Sequence, residues 1–134
     1  MDPIRLYISG QPPRKANSRQ IGYRWSTDSQ SGLRRKVPFS RKSDSALQWV
    51  SDALRQIPGS ARLGVGSKDH PLRITFWVRY ASRRPDLSIE LVLDMLQQAG
   101  VISDDRWVYE THAYKEIHQE AGVHVLIEEA ECAA

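Results

Sequence analysis

The stretch from Arg83 to Asp105, RRPDLSIELVLDMLQQAGVISDD, constrains this chain more than any other. A strand-like run, Ile74 to Ala81 (ITFWVRYA), leads into it. Pro85 forbids helix before it and keeps Arg84 extended. Leu87, Leu91, Met95 and Gln98 then fall on one side of a helix, and Ile89, Val92, Leu93, Leu96 and Ala99 widen the apolar face. Asp86 or Ser88 is placed to cap the N-terminus, and Gly100 to stop the helix.

Acidic residues stand at both ends of this helix, Asp86 before it and Asp104–Asp105 after it. Asp86, Glu90 and Asp94 are spaced i, i+4, i+8 and form one stripe if the helix begins at Asp86. Like charges so placed destabilise a bare helix by roughly a few tenths of a kcal/mol. A metal ion, or arginines such as Arg83 and Arg84, would relieve them. Carboxylates brought together by a helix and its return are what a hard divalent cation needs. A capped surface helix with solvated acids is the alternative reading of the same residues.

At 134 residues the chain is expected to form one domain, 1–134, large enough to bury a core without staples. The lone cysteine, Cys132, makes no internal disulfide and no zinc site, which points to a reducing compartment. No apolar run is long enough for a membrane span and MDPIRLYISG has no signal-peptide core, so a cytoplasmic location is expected.

Charge is distributed unevenly. Residues 1–42 carry ten Lys and Arg against two acids, whereas residues 101–134 carry two against eight. A basic first third suggests a polyanionic partner. Most of that charge lies in a long basic loop, residues 10–42, poor in aliphatic residues. Tyr23 and Trp25 interrupt it; they either stack on bases or anchor the loop.

Around the central stretch, Ile4 to Ser9 reads as a strand and Ala46 to Ile57 as a helix capped by Ser43 or Asp44. Leu72 to Tyr80 is the strongest strand. Trp107 to Tyr114 and Val123 to Ile127 read as two more, joined as a hairpin near Gln119 to Gly122. The fold class expected is α+β: a mixed sheet of about four strands, in the order β-α-β-α-β-β, with two helices on one face.

Several chemistries have no support. There is no Walker-type glycine loop and no G-x-S-x-G elbow. His112, His118 and His124 are six residues apart, which no common metal-ligand spacing uses.

The chain resembles the RusA-like Holliday junction resolvases, endonucleases common in prophages. The resemblance runs nearly end to end. It rests on KANSR (Lys15 to Arg19), the serine-rich approach to the first helix (Phe39 to Ala46), YASRRPD (Tyr80 to Asp86), LVLDML (Leu91 to Leu96), the turn QAG, and DDRWV (Asp104 to Val108). It implies a homodimer that binds branched DNA, the four-way Holliday junction, and cuts the backbone with Mg²⁺, or Mn²⁺ in its place. The family's first acidic motif, D-x-D, falls on Asp86 and Ser88, and the acid after the helix on Asp105 with Asp104 beside it. Ser88 thus stands where the family has an aspartate, and the helix lysine of many members is absent here.

The implied site is Asp86 and Asp105 as catalytic metal ligands, helped by Asp104 and Glu90, with Lys15 as a catalytic cation from the basic loop. The DNA-gripping residues expected are Arg14, Lys15, Asn17, Arg19, Arg24, Arg34, Arg35, Lys36, Arg83 and Arg84. The alternative expectation is a junction-binding protein of the same fold that cuts weakly or not at all.

Overall fold

The computed structural model describes residues 1–13 and 19–131. In chain order the elements are β1 (Ile4–Ser9), β2 (Arg19–Thr27), β3 (Arg34–Lys42), α1 (Asp44–Gln56), β4 (Leu72–Tyr80), α2 (Glu90–Gln98), β5 (Val108–Ile117) and β6 (Gly122–Glu129), with short 3-10 turns at Gly59–Ala61 and Asp105–Trp107. This is an α+β fold with a mixed four-stranded sheet, in the order β1-β6-β4-β5.

Alternation along β4 sets the architecture. Leu72, Ile74, Phe76, Val78 and Tyr80 are buried, while Arg73, Thr75, Trp77 and Arg79 lie half-buried on the opposite face. Opposite residues on paired strands share a face, so Val123, Val125 and Ile127 of β6 and Ile4, Leu6 and Ile8 of β1 join the buried side. Ala46, Trp49, Val50 and Ala53 of α1 and Leu91, Val92, Met95 and Leu96 of α2 belong to the same cluster, which places both helices on one face of the sheet. No helix among the described residues is long and apolar enough to cross a membrane.

β4 and β5 run parallel, and a parallel pair needs a crossover, which residues 81–107 provide through α2. The expected hairpin of the last two strands is not formed. β4 lies between them: β5 pairs with one edge of β4 and β6 with the other. The turn before Gly122 carries the chain over the end of β4, where the His118 N–H bonds to the Tyr80 oxygen at 3.0 Å. Burial explains the exchange. β6 offers three apolar residues to the core and goes inside the sheet, whereas the polar β5 suits an edge.

The loop expected over residues 10–42 contains two strands. β2 and β3 pair antiparallel as a ribbon with its own two-stranded sheet. The turn is closed by the Asp28 carboxylate, which accepts from the Gln30 N–H at 2.9 Å, and by Gly32 at φ +68°.

Helix ends follow their caps. The Ser43 hydroxyl accepts from the Ala46 N–H at 3.1 Å and starts α1. Trp49 of that helix is buried, and its indole N–H donates to the Gly10 oxygen at 3.3 Å. α2 ends as expected at Gly100, φ +76°: Val101 N–H bonds to Leu96 O and Gly100 N–H to Gln97 O. Its start differs. The N-cap is Ile89, with no side-chain cap, so neither Asp86 nor Ser88 caps the helix and Asp86 lies outside the stripe expected with Glu90 and Asp94.

Candidate functional site

Tyr80 organises the segment that carries Asp86. Its ring is buried at the end of β4, and its hydroxyl donates to the Asp86 oxygen at 3.2 Å and accepts from the Ser88 N–H at 3.3 Å. Burial pushes the phenol above its ordinary range, the Asp86 charge adds to that, and the Ser88 bond opposes it. Lys115, on the inward face of β5, donates to the Arg83 oxygen at 2.8 Å and sits 5.8 Å from the Tyr80 ring centroid. Neither Tyr80 nor Lys115 was expected at the site. The strand read from the sequence stops at Tyr114, one residue short of Lys115, whereas β5 continues to Ile117. Arg83, Arg84 and the Asp86 side chain are exposed.

Asp104 and Asp105 stand at the opposite end of α2. Asp104 caps the turn Asp105–Trp107: its Oδ1 accepts from the Arg106 N–H at 3.0 Å and its Oδ2 lies 3.5 Å from Arg106 Nε. The Arg106 main-chain bond holds the Asp104 carboxyl below its ordinary value, assisted by the Asp105 side chain and the Arg106 charge. The Asp105 N–H donates to Gln97 Oε1 at 3.1 Å, tying the pair to the last turn of the helix.

Helix α2 therefore separates the acids that the sequence suggested would share a cation. Glu90 and Gln97 alone are separated by about 10 Å of helix rise. No group of three His, Cys, Asp or Glu side chains converges as a metal centre among the described residues. The undescribed stretches, 14–18 and 132–134, contain no Asp, Glu or His. Mg²⁺ is often held by one or two carboxylates with waters and substrate phosphate. Exposed Asp105 fits that lesser requirement, beside Asp104 whose two oxygens are engaged by Arg106; Asp86, at the other end of α2, does not join them within one chain. Glu90 is exposed in the first turn of α2, and Asp94 lies 3.9 Å from Lys42 Nζ at the foot of the ribbon.

The ribbon holds five of the ten expected DNA-gripping residues. Between Arg19 and Lys42 there are seven Lys and Arg and one acid, Asp28, which closes the turn. Arg24, Arg34, Arg35 and Lys36 are exposed, and none forms an ion pair with a described carboxylate. Arg41 and Lys42, nearer the body, are tied to Asp44 and Asp94. Tyr23 and Trp25 are exposed, not packed as anchors. Arg34 and Lys36 lie 5.3 and 5.7 Å from the Trp25 ring centroid. Arg19 opens β2, whereas Arg14, Lys15 and Asn17 lie outside the described residues.

The histidines have local partners: His112 with Glu110, His118 with the Glu120 N–H, and His124 with the Tyr7 ring. No protein-family model matches the chain, and no curated protein matches it significantly. Fold and site together define an α+β domain bearing a cationic β-ribbon.

Proposed function

We propose that this protein binds branched DNA with the β2–β3 ribbon and hydrolyses its backbone as a Mg²⁺-dependent endonuclease of the four-way junction type. One observation carries the reading: a projecting ribbon whose outer cations have no described carboxylate partner. Such charges are satisfied by phosphates, with affinity that falls steeply as salt rises. The RRPD and DDRWV phrases support the nuclease part.

In this reading the ribbon positions the duplex arms, and Arg83 and Arg84 hold phosphate beside the exposed Asp86. Tyr80 and Lys115 fix the main chain of that segment. Asp105, with Asp104 beside it, would hold Mg²⁺, which would supply charge neutralisation at the scissile phosphate. A homodimer would present two such sites to opposed strands.

A second reading, binding without cutting, is favoured by Ser88 in place of an aspartate and by the separation of Asp86 from Asp105 across α2. Synthetic four-way junctions incubated with Mg²⁺ or Mn²⁺ distinguish the two. Wild type is expected to nick them, and Asp105→Asn to lose most of the rate. Equal cutting by Asp105→Asn contradicts the metal assignment. Binding with no cutting in either metal supports the second reading, and Ser88→Asp then tests whether a restored acid brings cleavage.

A further inference from the structure

We infer that the Tyr23–Trp25 face of the ribbon is a stacking platform for unpaired nucleobases, an inference that rests on the nucleic-acid reading above. Cross-strand register sorts the ribbon into two faces. Tyr23, Trp25, Lys36 and Arg34 share one, because Tyr23 pairs with Pro38, Trp25 with Lys36 and Thr27 with Arg34. The other face is partly closed by its own side chains: a Cβ at Gly22 would meet the Phe39 ring at 3.0 Å. On the first face the flexible ends of Arg34 and Lys36 lie over the Trp25 ring, where a base would displace them toward its phosphates. Tyr23 is 66% exposed and Trp25 58%, so two large rings stand in solvent where a core would normally claim them.

The rings come with the charges that a nucleotide strand needs. Arg34 and Lys36 flank the Trp25 ring within 6 Å of its centroid. A base on the indole would leave its phosphates beside these cations. This is the combination of aromatic face and basic track that single-stranded nucleic acid uses. An acidic or neutral apolar partner would match the rings or the charges, but not both.

Spacing favours unpaired bases over duplex. Residues i and i+2 on one strand face are about 6.8 Å apart, twice the ~3.4 Å rise of stacked bases along one strand. Successive bases reach Tyr23 and Trp25 together only when they are no longer stacked on each other. A branch point or a gap offers such bases; a continuous duplex does not.

The test is a binding series at one fixed low salt with a labelled oligo-dT, a blunt duplex of equal length and a four-way junction. Trp25→Ala should weaken oligo-dT about tenfold while leaving duplex affinity within about twofold, and Trp25→Phe should retain most of the oligo-dT binding. The ribbon lies outside the buried cluster, so the urea midpoint of Trp25→Ala should match wild type. Tyr23→Ala is the independent second variant, with the same pattern expected. Unchanged oligo-dT binding by both variants overturns the platform while leaving duplex or junction binding intact. Equal weakening on oligo-dT and duplex also overturns it, because the rings then act without regard to pairing. If Trp25→Ala instead halves the particle mass in sedimentation with oligo-dT binding unchanged, the face joins copies of this chain and the platform is overturned. If wild type retards none of the three DNAs, the nucleic-acid reading itself falls, and the platform with it.

Discussion

The hydroxyl of Tyr80 donates to the main-chain oxygen of Asp86 at 3.2 Å. One phenol at the end of β4 thereby holds a turn six residues further along the chain. The phenol oxygen in turn accepts from the Ser88 N–H at 3.3 Å. Pro85 is buried beneath this turn while Asp86 faces out. The main chain of the candidate acid is thus tied to a core residue, and α2 begins at Glu90, just past the segment those bonds hold.

Tyr80→Phe removes both bonds and leaves the ring in place. The expected cost is about 1 kcal/mol, because a buried pairing is lost while the ring's packing remains. Urea unfolding measures it. Amide exchange at Ser88 should quicken relative to amides of β4. An unchanged midpoint with unchanged exchange would show that Pro85 and Lys115 hold the turn without Tyr80.

The same phenol gives an alkaline dependence. Burial holds its folded-state pKa above the ordinary value of about 10. Its contribution to stability is therefore complete below pH ~10 and is lost as pH rises through the raised folded value, since the unfolded chain ionises first. Urea midpoints at neutral pH and at pH 11 should bring wild type closer to Tyr80→Phe, which lacks the group. A gap that stays constant would contradict the assignment.

Ser43 supplies the cap of α1 from a buried position, its hydroxyl 3.1 Å from the Ala46 N–H. Ser43→Ala should cost about 1 kcal/mol, and Ser43→Thr less, because the threonine hydroxyl keeps the cap. Thermal or urea unfolding of the two variants checks the order. Equal losses would mean that volume at the site matters more than the cap.

Much of this was legible in the sequence where burial and local periodicity agree. The alternation of Leu72 to Tyr80, the helical spacing from Ala46 and the stop at Gly100 each reflect one element meeting one core. The ribbon was not legible, because β2 and β3 bury no face: Ile21, Tyr23 and Trp25 are exposed, and β3 runs through Pro38, a residue that argues against a strand. A polar strand that pairs only with its neighbour leaves no apolar period to read. The hairpin expected at Gln119 to Gly122 failed for another reason. A turn is local, but the partner of β6 was chosen by the core, and β4 took it. Among the acids, sequence distance suggested convergence across the helix. Pairing of Val108 with Leu72 returned the chain to the far end of β4 instead.

In the proposed function the exposed outer cations of the ribbon, Arg24, Arg34, Arg35 and Lys36, grip branched DNA. The most direct measurement is the affinity of a four-way junction, across a salt series, for wild type and for the variant carrying Arg24→Gln, Arg34→Gln, Arg35→Gln and Lys36→Gln. A loss of about 100-fold at low salt is expected, with a log–log salt slope shallower by about 3 to 4, one contact per removed charge. A variant that binds within twofold of wild type, with the same slope, would contradict it.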